Sequence, residues 1–235
     1  MKKLAAAFKF LTIWGCISTV RPAGNLIGSA AGLFPLAGLL LGLLLALTNY
    51  SLAAHIDPRI LNLVLVTLLI TATGAQPLSG LKDTFDTIGS ESTNTGTRVS
   101  AIWGFTAVVL VILFKSAAMD SMDELLTLSL LLTPVLARWV LVIFLYGAHS
   151  RFDENSRLIA ERVTTCPVTL STVATLALAV YFLGRKGLWI GLALSLFALL
   201  MRGLLIKRHD ALSLAHLGAA IELSEALSLI LLASL

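Results

Sequence analysis

Asp83 and Asp86 stand three residues apart in the run Gly80-Leu81-Lys82-Asp83-Thr84-Phe85-Asp86, a spacing that puts both on one face of a helix. Two carboxylates held that way can share a hard cation such as Mg²⁺, which takes one or two carboxylates and keeps its other positions for water and substrate phosphates. Lys82 adds a cation beside them, and Gly80, preceded by Pro77 and Ser79, suits a tight turn or a close approach of the backbone to a ligand. The same polar loop, Gln76 to Arg98, ends in Thr93, Asn94, Thr95, Gly96, Thr97 and Arg98. Arg98 and backbone amides there can hold a phosphate; a plain loop with Thr97 capping a helix accounts for the same letters. The bland reading of the whole stretch is a solvated interhelical loop.

A second pair of acids, Glu222 and Glu225, also three apart, lies in an otherwise apolar run. An acid at the bilayer centre costs on the order of 3 kcal/mol on insertion scales, so such residues normally have a partner. Arg138 and Arg202 are the cations expected to supply it, since a planar guanidinium takes a carboxylate through two hydrogen bonds. Two readings stand side by side: an acid pair that shapes a cytoplasmic cavity or binds a cation, and an interhelical ion pair. His216, shortly before Glu222, is read as a hydrogen-bonded helix-end histidine ahead of a proton shuttle.

The elements that must position these groups are apolar. Of 235 residues, 57% are hydrophobic and 13% charged, against roughly 25% charged in an ordinary soluble domain. The chain therefore reads as an all-α polytopic membrane helix bundle, a single integral membrane domain over residues 1–235. Spans are expected at Leu26 to Thr48, Ile60 to Ala75, Val99 to Ala118, Leu125 to Tyr146, Val168 to Gly184, Leu188 to Ile206 and Leu212 to Leu235. About seven transmembrane helices result, preceded by an N-terminal amphipathic segment, Lys2 to Val20, that lies in the interface or enters the bilayer partway without spanning it. In the first span Gly38 and Gly42 stand four apart, as packing in lipid prefers, and Pro35 is expected to kink the helix.

The net charge of +4 is scattered at the ends of apolar runs, which reads as topology and not as nucleic-acid binding. With the N-terminus in the cytoplasm, Lys2, Lys3, Lys9, Arg21, Lys82, Arg98, Arg151, Arg157, Arg162, Lys207 and Arg208 fall inside, and Arg59, Lys115, Arg185 and Lys186 outside. That orientation gathers the loops at Gln76 to Arg98, His149 to Cys166 and Lys207 to Asp210 on one face. Cys16 and Cys166 form neither a zinc spacing nor a disulfide framework. A small-solute transporter using Glu222, Glu225, Arg138 and Arg202 as a polar path is the reading from another class, and no internal repeat supports it.

Four motifs in order carry a family resemblance over most of the chain. Phe34-Pro35-Leu36-Ala37-Gly38, Gly80-Leu81-Lys82-Asp83-Thr84-Phe85-Asp86, Arg98 and Leu217-Gly218-Ala219-Ala220-Ile221-Glu222-Leu223-Ser224-Glu225 resemble cobalamin synthase, the adenosylcobinamide-GDP ribazoletransferase family. Departures fall on polar positions: Pro77 replaces the family's histidine, Ser79 its first acid, Thr87 a glycine, and Gly96 and Ala215 aspartates. The resemblance implies attack by the 5′ oxygen of α-ribazole or its phosphate on the cobinamide-side phosphorus, with GMP leaving. It implies Asp83, Asp86 and Arg98 as catalytic residues, with Asp83 and Asp86 as Mg²⁺ ligands. Gly80, Lys82, Glu222 and Glu225 are the expected substrate-binding residues. Partners implied are corrinoid and nucleoside substrates, the lipid bilayer, and a homo-oligomer or other enzymes of the pathway, in the cytoplasmic membrane. A catalytically impaired relative that binds or assembles corrinoid is the alternative that the departures raise.

Overall fold

The computed structural model describes residues 2–13, 22–92, 97–122 and 124–235, with the backbone alone for residues 90–92 and 97–101. Eleven α-helices follow in order among these residues: α1 Lys2–Leu11, α2 Gly24–Ser29, α3 Phe34–Leu52, α4 Pro58–Ala72, α5 Gln76–Ser92, α6 Thr97–Asp120, α7 Leu126–Leu145, α8 Glu154–Ala160, α9 Thr165–Leu183, α10 Arg185–Arg208 and α11 Leu214–Ala233. Six stretches are long and apolar enough to cross a membrane alone: Ala31–Leu52, Ile102–Asp120, Leu126–Leu145, Thr165–Leu183, Arg185–Arg208 and Leu214–Ala233. A seventh arises if α4 and α5, bent by 87°, count as one broken span. The chain is a multi-pass membrane protein.

At the centre is α7, apolar around its whole circumference and buried along most of its length, as a helix enclosed by others must be. Against it packs α3, and a Cβ added at Gly38 or Gly42 would run into the carbonyls of Pro134 and Leu131. The small-residue spacing therefore does what the sequence suggested, letting two backbones touch where lipid supplies no hydrophobic drive between helices. Pro35 does not kink this helix. It stands in the first turn of α3, where its missing N–H costs nothing, and the first expected span breaks ahead of it into α2 and a 3-10 turn, Ala31–Leu33.

The largest departure from the sequence reading is α5. The stretch expected as a polar loop is a helix from Gln76 to Ser92, because its polar letters recur on one side while Leu81 and Thr84 are buried against α11. It leaves α4 through Gly74 at φ 63° and Ala75 at φ 55°, left-handed backbone that costs an alanine about 1–2 kcal/mol. That pair turns the chain by 87°.

Successive crossings alternate in direction, so α1, α5, α8 and the link from α10 to α11 lie at one end. Two backbone contacts fasten this end. Ile13 N–H donates to the Ala72 carbonyl at 2.8 Å, and an isolated parallel bridge joins Phe152 to Leu212. The expected loop from His149 to Cys166 is partly helical, with Asp153 capping α8 by accepting the Ser156 N–H at 2.8 Å.

Candidate functional site

The first turns of α5 and α11 cross in backbone contact. A Cβ at Gly80 would come within 2.6 Å of the Ala215 carbonyl oxygen and 2.9 Å of the Gly218 Cα, and one at Gly218 would meet the Pro77 carbonyl oxygen at 2.9 Å. Only hydrogen fits on either side, so the close approach expected of Gly80 is to a neighbouring helix. Beside the crossing is a cavity of about 240 Å³. Gln76, Pro77, Ser79 and Asp83 line it from α5, Ala215 and Ile221 from α11, and Phe10 and Leu11 of α1 close one side.

Asp83 and Asp86 part company here. At 3.6 residues per turn, three steps leave two side chains about 60° apart, and the cavity lies on the Asp83 side. The Asp83 side chain is 58% exposed on that wall. Asp86, only 17% exposed, turns toward α6, where its Oδ1 accepts the Gly104 N–H at 2.8 Å and its Oδ2 accepts from Lys82 Nζ at 2.7 Å. A Cβ at residue 104 would collide with that carboxylate. The Lys82 ammonium also stands 3.7 Å from Asp83 Oδ1, so the cation beside both acids is a side chain. No group of three or more His, Cys, Asp or Glu poised to hold a metal occurs among the described residues.

Glu222 and Glu225 are placed elsewhere again, near the middle of α11 and 3% and 1% exposed. Lys115 of α6 donates to Glu222 Oε2 at 2.7 Å and to Glu225 Oε2 at 2.5 Å, and Arg138 of α7 donates to Glu225 Oε1. Two acids and two bases cancel, which is how charge survives inside a bilayer. Arg138 Nε and Nη2 have no hydrogen-bond partner among the described residues. None of the four lines the cavity. Their arrangement is the interhelical ion pair of the two sequence readings, enlarged to four members.

Lys115 is the member that the sequence reading missed, assigning it to the outer ends as a topology signal. Arg138 and Arg202 already matched the two acids in number, so nothing called for another base, although Lys115, five residues short of the end of α6, stands inside an apolar run. Arg202 is not a partner of either acid. Its Nη1 donates to the Phe144 and Tyr146 carbonyls at 3.2 and 2.6 Å, satisfying the end of α7. His216 is a capping residue: its Nδ1 accepts the Ser213 N–H at 2.8 Å, and its ring lies 4.9 Å from that of His209.

Arg98 falls in the first turn of α6. Asp86 meets Gly104 and Gly89 meets Trp103, so the antiparallel register sets the backbone of Arg98 toward the far end of α5 from the cavity. Its side chain, and Thr93, Asn94, Thr95 and Gly96 altogether, lie outside the described residues.

A model of the cobalamin-5-phosphate synthase family matches residues 3–233. The chain belongs to that family. Among similar curated proteins, an adenosylcobinamide-GDP ribazoletransferase of Geotalea daltonii is 28% identical over 97% of this chain and 96% of its own length. One from Pseudomonas aeruginosa is 30% identical over 99% and 98%, and one from Thermodesulfovibrio yellowstonii 23% over 84% and 83%. No solved structure matches the chain. As a member of this family, the chain brings two motifs far apart in sequence to one place: Pro77, Ser79 and Asp83 from one, Ala215 beside the other, around one cavity.

Proposed function

We propose that this protein joins adenosylcobinamide-GDP to α-ribazole or its 5′-phosphate, giving adenosylcobalamin or its 5′-phosphate and GMP, at the cavity between α5 and α11. The observation that carries the placement is the convergence there of Pro77, Ser79, Asp83 and Ala215. A ribose hydroxyl that is free in both acceptors, and so not the 5′ oxygen that the phosphorylated one has esterified, attacks the cobinamide-side phosphorus; the bond from that phosphorus to the bridging diphosphate oxygen breaks, GMP leaves with the bond's electrons, and the hydroxyl proton passes to solvent or to Asp83. Such a transfer asks mainly for positioning and for neutralised charge.

For Mg²⁺ the cavity offers one carboxylate, Asp83, with the Ser79 hydroxyl and the Gln76 amide on the same wall. That donor set fits an ion that takes its remaining ligands from water and the substrate diphosphate, and the ion would supply neutralisation of the charge on the leaving GMP. Asp86, with both oxygens engaged, fixes α5 on α6 and holds Lys82 near Asp83, so it acts as a positioning residue. Lys82 adds positive charge close to Asp83 and Gly80 sets the helix crossing, while the charge-stabilising role that the resemblance gives Arg98 is not assigned at this cavity, because its backbone lies toward the far end of α5. The orientation proposed is N-terminus in the cytoplasm and cavity on the cytoplasmic side of the inner membrane. The basic residues of α1, α8 and the end of α10 favour it, and Lys115 no longer counts against it. A homo-oligomer or other enzymes of the pathway are the proposed protein partners.

Membranes containing the protein, supplied with adenosylcobinamide-GDP, α-ribazole and Mg²⁺, release GMP, and Asp83→Ala stops the release. A specific observation favours a second reading: three walls of the cavity are Pro77, Ser79 and Ala215, where the family pattern has a histidine and two acids. Corrinoid binding without GMP release, equal in Asp83→Ala, would establish that reading in place of the first.

A further inference from the structure

We propose that a groove between α10 and the facing surfaces of α5, α6 and α11 seats one anionic phospholipid, an acyl chain along its length and the phosphate against Arg208. Two adjoining hollows of about 360 and 320 Å³ share Phe85, Phe197 and Leu223 as common walls, so they form one continuous trough. It runs from Arg208 and Leu204, at the end of α10, to Phe114 and Ile230, exposed residues toward the opposite end of the bundle on α6 and α11. α10 packs on α8's neighbours α7 and α9 and on α11, which leaves its opposite flank to form the trough's outer wall.

The contents of the trough are set by its chemistry. Every wall residue is apolar except Thr84, whose hydroxyl is spent on the Gly80 carbonyl at 2.8 Å, and Arg208. A flexible hydrocarbon chain follows such a hollow and makes the dispersion contacts its lining lacks. Arg208 is exposed, forms no ion pair among the described residues, and has Lys207 beside it. It stands at the basic end of the bundle, where pockets between transmembrane helices bind anionic head groups. Among the described residues no acid lines the trough, so a phosphodiester without a compensating ammonium is the head group that this end selects. A zwitterionic lipid brings its own cation and gains less.

The full-length protein in detergent is titrated with phosphatidylglycerol and with phosphatidylcholine, and bound lipid is counted by native mass spectrometry alongside thermal unfolding. Phosphatidylglycerol is expected to remain bound and to raise the unfolding temperature, with phosphatidylcholine clearly weaker. Arg208→Ala weakens phosphatidylglycerol roughly fivefold, the scale of one basic side chain at an anionic surface. Leu204→Trp, at the exposed rim, fills the trough and removes bound lipid, while Arg185→Ala at the other end of α10 changes nothing. Arg208→Ala alters only a surface side chain, so the test stands even if Leu204→Trp fails to fold. Equal binding of the two lipids, binding unmoved by Arg208→Ala, or efficient cross-linking of two copies through Leu204→Cys would overturn the proposal.

Discussion

The two ends of one short motif on α11 lead opposite lives. Its first turns, at Ala215 and Gly218, are stripped of charge and press against α5 beside a cavity; two turns on, Glu222 and Glu225 sit in a closed, neutral cluster with Lys115 and Arg138. A carboxylate proposed to meet a substrate must be reachable and incompletely satisfied, and Asp83 is both. One meant to join helices in lipid must be fully engaged. Acids that look equivalent on paper are divided by which neighbour the helix turns them toward.

Removing one member of the cluster should have the largest effect. Glu225→Gln leaves Arg138 without its carboxylate and Lys115 with a single partner, and about 3–5 kcal/mol of stability should go, seen as a sharp fall in unfolding temperature in detergent and in membrane yield. Asp83→Asn should do the reverse: GMP release falls roughly 10²–10³-fold, the scale of losing one charge-stabilising group, with stability within about 0.5 kcal/mol of the parent. A comparable loss of stability in both variants would erase the distinction between the regions. Gly80→Ala tests the joint between them. Overpacking against Ala215 and Gly218 costs about 1–3 kcal/mol, and the rate of GMP release should fall with it.

Restoring acids sharpens the comparison from the other side. Ser79→Asp together with Ala215→Asp brings three carboxylates to the cavity wall, and direct Mn²⁺ binding, followed by calorimetry, should tighten by at least tenfold, while unfolding of the cluster-bearing core is unchanged. The smallest effect is at the bend. Ala75→Gly relieves left-handed backbone worth about 1–2 kcal/mol, less the entropy glycine returns to the unfolded chain, so a net gain below about 1 kcal/mol should appear as a slight rise in unfolding temperature.

Much of the fold was legible because apolar length and small-residue spacing report directly on lipid and on close helix contact: α7 and the Gly38 and Gly42 contacts are where the letters put them. The α5 helix was not, since Gln, Ser, Lys, Asp and Thr read as loop until one knows that Leu81 and Thr84 have a helix to bury against. The cluster was half legible. Glu222, Glu225 and Arg138 announced themselves by being charged in an apolar run, whereas Lys115 was hidden by its nearness to a span end. That Asp86 belongs to α6 and Asp83 to the cavity depends on Gly104, whose bare backbone gives no sign in the sequence of the carboxylate it receives.

The amphipathic α1 crosses nothing, yet Phe10 and Leu11 stand in the cavity wall and Ile13 is laced to the end of α4. Shortening the chain by this one helix would leave every crossing segment in place and unroof the chamber, so the piece that looks most dispensable to insertion is the piece that closes one side of the proposed site.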